Sequence, residues 1–218
     1  MQKKYYKYAL YLSIITILYN LVEGLVSIYF GFEDETLSLF GFGVDSFIEV
    51  ISGVGIFQMV LRIGRNEEKR TEFEKTALKI TGTAFYILTF GLIFMSLYNI
   101  YIQHKPDTTF WGIIISIVSI IFMWALVKAK RYVGNKLNSK PILADANCTL
   151  VCIYISIVLL ISSVLYELFG IYYIDAVGAL GLTYFSFKEG KECFYKSKSS
   201  VDCCCECENK YSNKYLNR

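Results

Sequence analysis

Asp45 and Glu49 stand four residues apart in the run Gly43-Val-Asp-Ser-Phe-Ile-Glu-Val50, and Cys148 and Cys152 stand four apart in Ala144-Asp-Ala-Asn-Cys-Thr-Leu-Val-Cys152. Residues at i and i+4 share a helix face, so each pair directs two side chains at one place. A carboxylate inside an apolar helix is costly to bury and marks a functional site by default. Two carboxylates and two thiols offer four donors, the number taken by a tetrahedral soft or borderline metal. Thiol donors favour zinc, cadmium, copper(I) or iron(II) over magnesium or calcium. Taken singly, each residue has a plainer reading: a neutral, hydrogen-bonded carboxyl, or a cysteine filling apolar space. The matched spacing of the two pairs carries the metal reading.

The elements that must position these residues are long and apolar. The 218 residues are 55% hydrophobic and include only two prolines. Apolar runs of bilayer-spanning length occupy about 8–30, 37–61, 77–102, 109–127, 142–167 and 171–187, the last the shortest. The first is too long for a cleaved signal, and a second run follows it at once. All but Lys105 of the 22 basic residues fall at the two termini or in the connections after the second and fourth runs. That distribution predicts an all-α membrane protein of six transmembrane helices, with both termini cytoplasmic. The net charge of +3 follows from topology, and no nucleic-acid partner is expected. A multi-pass protein of a plasma membrane, rather than of an organelle, is the expectation, with the lipid bilayer itself a partner.

In that topology the second and fifth helices run in opposite directions. At about 1.5 Å per residue, both pairs reach the middle of a core of about 30 Å. Glu49 is then expected level with Cys148, and Asp45 level with Cys152, to within a turn. Gly41, Gly43, Ser46, Ser52, Gly53 and Gly55 make the second helix rich in small residues that permit close approach. Ser139 and Pro141 suit the start of the fifth, the serine as a capping hydroxyl. Asn20, Glu23 and Ser27 share a face of the first helix and suit a cavity wall or gate, with Asn20 and Glu23 as accessory metal residues, or else hydrogen bonds to neighbouring helices. Asp145 shares the face of Cys148 near the cytoplasmic mouth, as an accessory ligand or a helix N-terminal charge. Glu167 and Asp175 lie near the outer surface, and His104 reads as ordinary surface.

The seven cysteines avoid the outer loops, so they read as reduced thiols rather than a disulfide framework. The chain divides into a membrane domain, 1–192, and a short Cys-rich tail, 193–218. The tail cluster of Cys203, Cys204, Cys205 and Cys207 lacks zinc-finger spacing. Soft-metal capture, lipidation or no role are its three readings. No nucleophile–base set, Cys-x-x-Cys pair or nucleotide-binding glycine loop is present, so an enzyme is not expected and any transport must draw on ion gradients.

This ordered set of features resembles the cation diffusion facilitator family of metal-ion/proton antiporters over about residues 8–190. The second helix of that family carries two acidic or histidine ligands four apart, as at Asp45 and Glu49. Its fifth carries Ala-Asp, then a histidine and an aspartate; Ala144-Asp145 matches, while the ligand positions hold Cys148 and Cys152. Asn20, Glu23-Gly24 and Tyr173-Ile-Asp175 also look like family positions. The resemblance implies export of a divalent or soft metal from the cytoplasm, zinc foremost, with protons as counter-ion, a homodimer, and no resident cofactor. It further implies a short form lacking the family's cytoplasmic α/β domain. The competing reading is a metal-binding membrane protein that does not transport, a sensor or assembly partner.

Overall fold

The computed structural model describes residues 2–63, 72–171 and 173–198. They form six α-helices: α1 (Gln2–Glu33), α2 (Leu37–Ile63), α3 (Glu72–Ile102), α4 (Phe110–Leu137), α5 (Lys140–Phe169) and α6 (Tyr173–Lys198). No strand occurs among the described residues. The most extensive packing joins α1 to α2, α3 to α6 and α4 to α5, while α2 also touches α5 and α6. The element most central to the site, α2, therefore meets neighbours on several sides.

The distribution of side chains is the reverse of a water-soluble bundle. Leu18, Val22, Leu25 and Tyr29 on α1, and Ile87, Phe90 and Phe94 on α3, face outward, at the spacing of a helix face. Inside are Asn20, Glu23, Ser27, Asp45, Ser46, Ser119 and Ser156 together with the apolar core around Leu39, Phe42, Ile155 and Leu159. Lipid solvates the outer face, and most of the polar groups find partners within. Five helices are long and apolar enough to cross a membrane. The sixth, α6, carries Asp175, Lys188, Glu189, Lys191 and Glu192 and falls short by composition, yet it packs closely on α3.

Three connections gather at one end of the bundle, opposite the termini. The Asp107 N–H donates to the Asp34 carbonyl at 3.0 Å, and Thr36 Oγ1 donates to the Thr108 carbonyl at 2.9 Å. Tyr166 Oη donates to the Pro106 carbonyl at 2.5 Å. Buried Asp175 of α6 accepts the first two N–H groups of α2, Leu37 at 2.8 Å and Ser38 at 3.2 Å, as well as the Ser38 hydroxyl. These are donors a helix start cannot satisfy internally. Glu167 of α5 likewise accepts the Thr109 N–H at 2.6 Å and the Thr108 hydroxyl at 2.8 Å, at the start of α4.

Two expectations change. Lys128, Lys130, Arg131 and Lys136 belong to the last turns of α4 rather than to the following connection. The helix continues because Lys130 is wholly buried on a partner, and Lys128 lies 3.5 Å from the centroid of the Trp124 ring. Ser139 is the N-cap of α5, with proline in the first turn, but its hydroxyl makes no capping bond and has no hydrogen-bond partner.

Candidate functional site

Glycine brings α1 and α2 together. A Cβ at Gly24 would stand 3.1 Å from the Gly43 carbonyl oxygen, and one at Gly43 would stand 2.8 Å from the Ile28 nitrogen. Neither gap admits a methyl group without moving backbone, so this crossing requires glycine on both helices. The approach lets short polar side chains on α1 reach α2. Asn20 Nδ2 donates to Glu49 Oε2 at 2.9 Å, and Ser46 Oγ donates to Glu23 Oε2 at 3.2 Å. Tyr19 Oη donates to the other Glu23 oxygen at 2.8 Å.

From the opposite side α5 supplies the thiol. Cys152 Sγ donates to Glu49 Oε1 at 2.6 Å, joining residues 103 apart in sequence, in the middle of both helices. Cys152 is buried and Cys148, one turn away, is half-buried. Asp45 is buried too, but it turns toward α6, where Ser186 Oγ donates to Oδ1 at 3.4 Å. Glu189 lies one turn further along α6.

Glu49 thus meets Cys152, within a turn of the expected level. Asp145 is engaged elsewhere. It pairs with Lys130 Nζ at 3.0 Å, and Thr149 Oγ1 accepts from the same amine at 2.9 Å.

Among the described residues, no three His, Cys, Asp or Glu side chains converge closely enough to hold a metal ion. Glu49 and Cys152 are together; Asp45 and Cys148 lie a turn from them on the same two helices. Asn20 touches Glu49 directly, and Glu23 stands apart on Ser46 and Tyr19. Asp145 is engaged by Lys130. Cys203, Cys204, Cys205 and Cys207 lie outside the described residues.

Sequence reasoning missed Lys130, Ser186, Glu189 and the capping role of Asp175. Lys130 was hidden by its neighbours Lys128 and Arg131, which make the stretch look like a basic connection. Ser186 and Glu189 have a usable signal: they stand three apart, on one face of a helix too polar to be lipid-facing all round.

These features define a multi-pass membrane protein with a carboxylate–thiol pair at mid-helix. Residues 10–200 match the cation efflux transmembrane domain, and the chain belongs to that family, one of membrane cation transporters. It is similar to an uncharacterized transporter of Methanocaldococcus jannaschii, 26% identical over 172 residues. The match covers 77% of this chain, which spans 60% of that relative's length.

Proposed function

We propose that this chain exports a divalent or soft heavy-metal cation, zinc foremost, from the cytoplasm in exchange for protons. The site lies between α2 and α5, with Glu49 and Cys152 at its centre and Asp45 and Cys148 joining when the ion is bound. One observation carries the reading: the 2.6 Å contact between Cys152 Sγ and Glu49 Oε1, a carboxylate and a thiol from two helices meeting at mid-helix. A thiol must lose its proton to ligate, so binding the metal releases a proton and reprotonation expels the metal. The pair couples the two ions without a nucleotide. Cadmium and iron(II) share the ligand preference, as does copper(I); magnesium does not.

Placing both termini in the cytoplasm rests on the basic residues, 21 of the 22 of which fall in sequence at the two termini or around the connections that follow α2 and α4. A plasma membrane location and a homodimeric working unit accompany the reading.

The test is flux in proteoliposomes under an imposed pH gradient, with Zn²⁺, Cd²⁺, Fe²⁺ and Mg²⁺ compared. Gradient-driven Zn²⁺ or Cd²⁺ movement that is lost in Cys152→Ala and in Asp45→Ala is expected, with Mg²⁺ inert. Retained flux in both variants would remove this site, and binding without flux would favour the non-transporting reading.

A further inference from the structure

Glu49 is held from both sides by donors: Asn20 Nδ2 on one oxygen at 2.9 Å and Cys152 Sγ on the other at 2.6 Å. A carboxylate so placed is an acceptor at both oxygens, which fixes the Asn20 amide with its nitrogen toward Glu49. The other end of that amide is the anomaly. Asn20 is 2% exposed, and its Oδ1 has no hydrogen-bond partner. A buried carbonyl oxygen left without a donor costs free energy comparable to a lost hydrogen bond, and such an orphan calls for an explanation. Other orphans here are chiefly hydroxyls, among them Ser27, Ser96 and Ser163. Asn20 differs because it is a strong neutral oxygen donor in contact with one of the two central ligands.

The geometry points to Asn20 as a metal ligand contributed by a third helix: its Oδ1 coordinates the cation together with Glu49 and Cys152. The inference rests on the proposed function and changes its architecture, from a site between two helices to one at the junction of α1, α2 and α5. Asp45 is turned toward Ser186. The donor next in contact with Glu49 is therefore the amide. When a cation replaces the thiol proton, Glu49 no longer needs two hydrogen bonds. Rotation of the amide then exchanges its N–H for its carbonyl, and the orphan oxygen gains the strongest partner on hand. The same residue thus stabilises Glu49 in the metal-free state and the ion in the loaded state. The glycine crossing of Gly24 and Gly43 holds α1 close enough for it to do both.

The ligand class follows. Carboxylate, thiolate and amide oxygen form a mixed set suited to Cd²⁺ and Zn²⁺, with copper(I) disfavoured by the two oxygens.

The experiment measures Cd²⁺ binding to the full chain in nanodiscs by calorimetry, with X-ray absorption for the coordination shell. Asn20→Leu and Asn20→Asp are compared with the wild type, Glu49→Gln and Cys152→Ala. An aspartate can ligate but cannot donate to Glu49, so it separates a ligand from a mere hydrogen-bond donor. Expected is weaker binding in Asn20→Leu, by about tenfold or more, with one fewer oxygen neighbour and the sulfur count unchanged. Asn20→Asp is expected to bind at least as tightly as the wild type. Equal weakening in Asn20→Leu and Asn20→Asp, or an unchanged oxygen shell in Asn20→Leu, would overturn the inference while leaving the Glu49–Cys152 site standing. If Glu49→Gln and Cys152→Ala also bound like the wild type, or if the wild type bound no Cd²⁺, the proposed function would fall with it. Thermal unfolding of each variant verifies that lost binding is not lost fold.

Discussion

Two sets of carboxylates divide this molecule. At the end where the connections gather, Asp175 and Glu167 are held by backbone N–H groups at the starts of α2 and α4. At mid-helix, among the described residues, Glu49 and Asp45 are held by side chains: an amide, a thiol and a hydroxyl. Backbone donors at a helix start cannot leave without unwinding it, so the first set fixes helix against helix. Side-chain donors rotate away on their own bonds, so the second set can exchange its partners for a cation. The same chemical group serves as a rivet in one place and a ligand in the other, and the donor decides which.

The largest effect expected tests the opposite end of the bundle, where Lys130 and Asp145 form a buried ion pair. Lys130→Met leaves Asp145 charged and alone, and should destabilise the fold by about 3–5 kcal/mol in thermal or denaturant unfolding. Pairing it with Asp145→Leu should recover most of that loss, because two apolar residues replace a costly buried pair. Failure of the double variant to recover would mean that the pair has further partners.

Next comes the contrast itself. Asp175→Ala strips two α2 N–H groups of their acceptor and should cost about 1–2 kcal/mol of stability. Cd²⁺ affinity should stay within about twofold of the wild type. Glu49→Gln should do the reverse: binding lost, with the unfolding midpoint moved by no more than about 0.5 kcal/mol equivalent. A metal-binding defect in Asp175→Ala would break the division. Glu167→Gln keeps an acceptor oxygen at the same place and should cost less than about 1 kcal/mol, read in the same unfolding assay.

The smallest effect concerns Asp34, in the α1–α2 connection. Burial first, then the charges of Glu33, Asp107 and Glu167, hold its carboxyl above the ordinary range. One of its oxygens, Oδ2, is buried without a hydrogen-bond partner. Because folding favours the protonated form, stability from this group is full below the ordinary carboxylate range and is lost as pH rises through the raised value. Asp34→Asn should raise the melting temperature at neutral pH by roughly 1 °C and leave it unchanged in acid. A lower melting temperature at neutral pH would show that the charge is in use.

The sequence alone determined the helices, their number, and which faces carry carboxylates and thiols, because apolar length and i,i+4 spacing are local properties written in consecutive residues. It was enough to pair α2 with α5 and to bring Glu49 within a turn of its thiol partner. The exact partner was not legible, since helix register depends on where each span meets its polar end. On α5 the neighbouring Asp145 is held by Lys130, a residue in another helix that reads locally as part of a basic connection. The role of Asp175 was hidden for a similar reason. Its partners are backbone groups 137 and 138 residues away, and backbone donors leave no trace in residue type. Asn20 stood out as a polar residue on α1, but only the packing of α1 on α2 decided which of its two amide atoms found a partner and which did not.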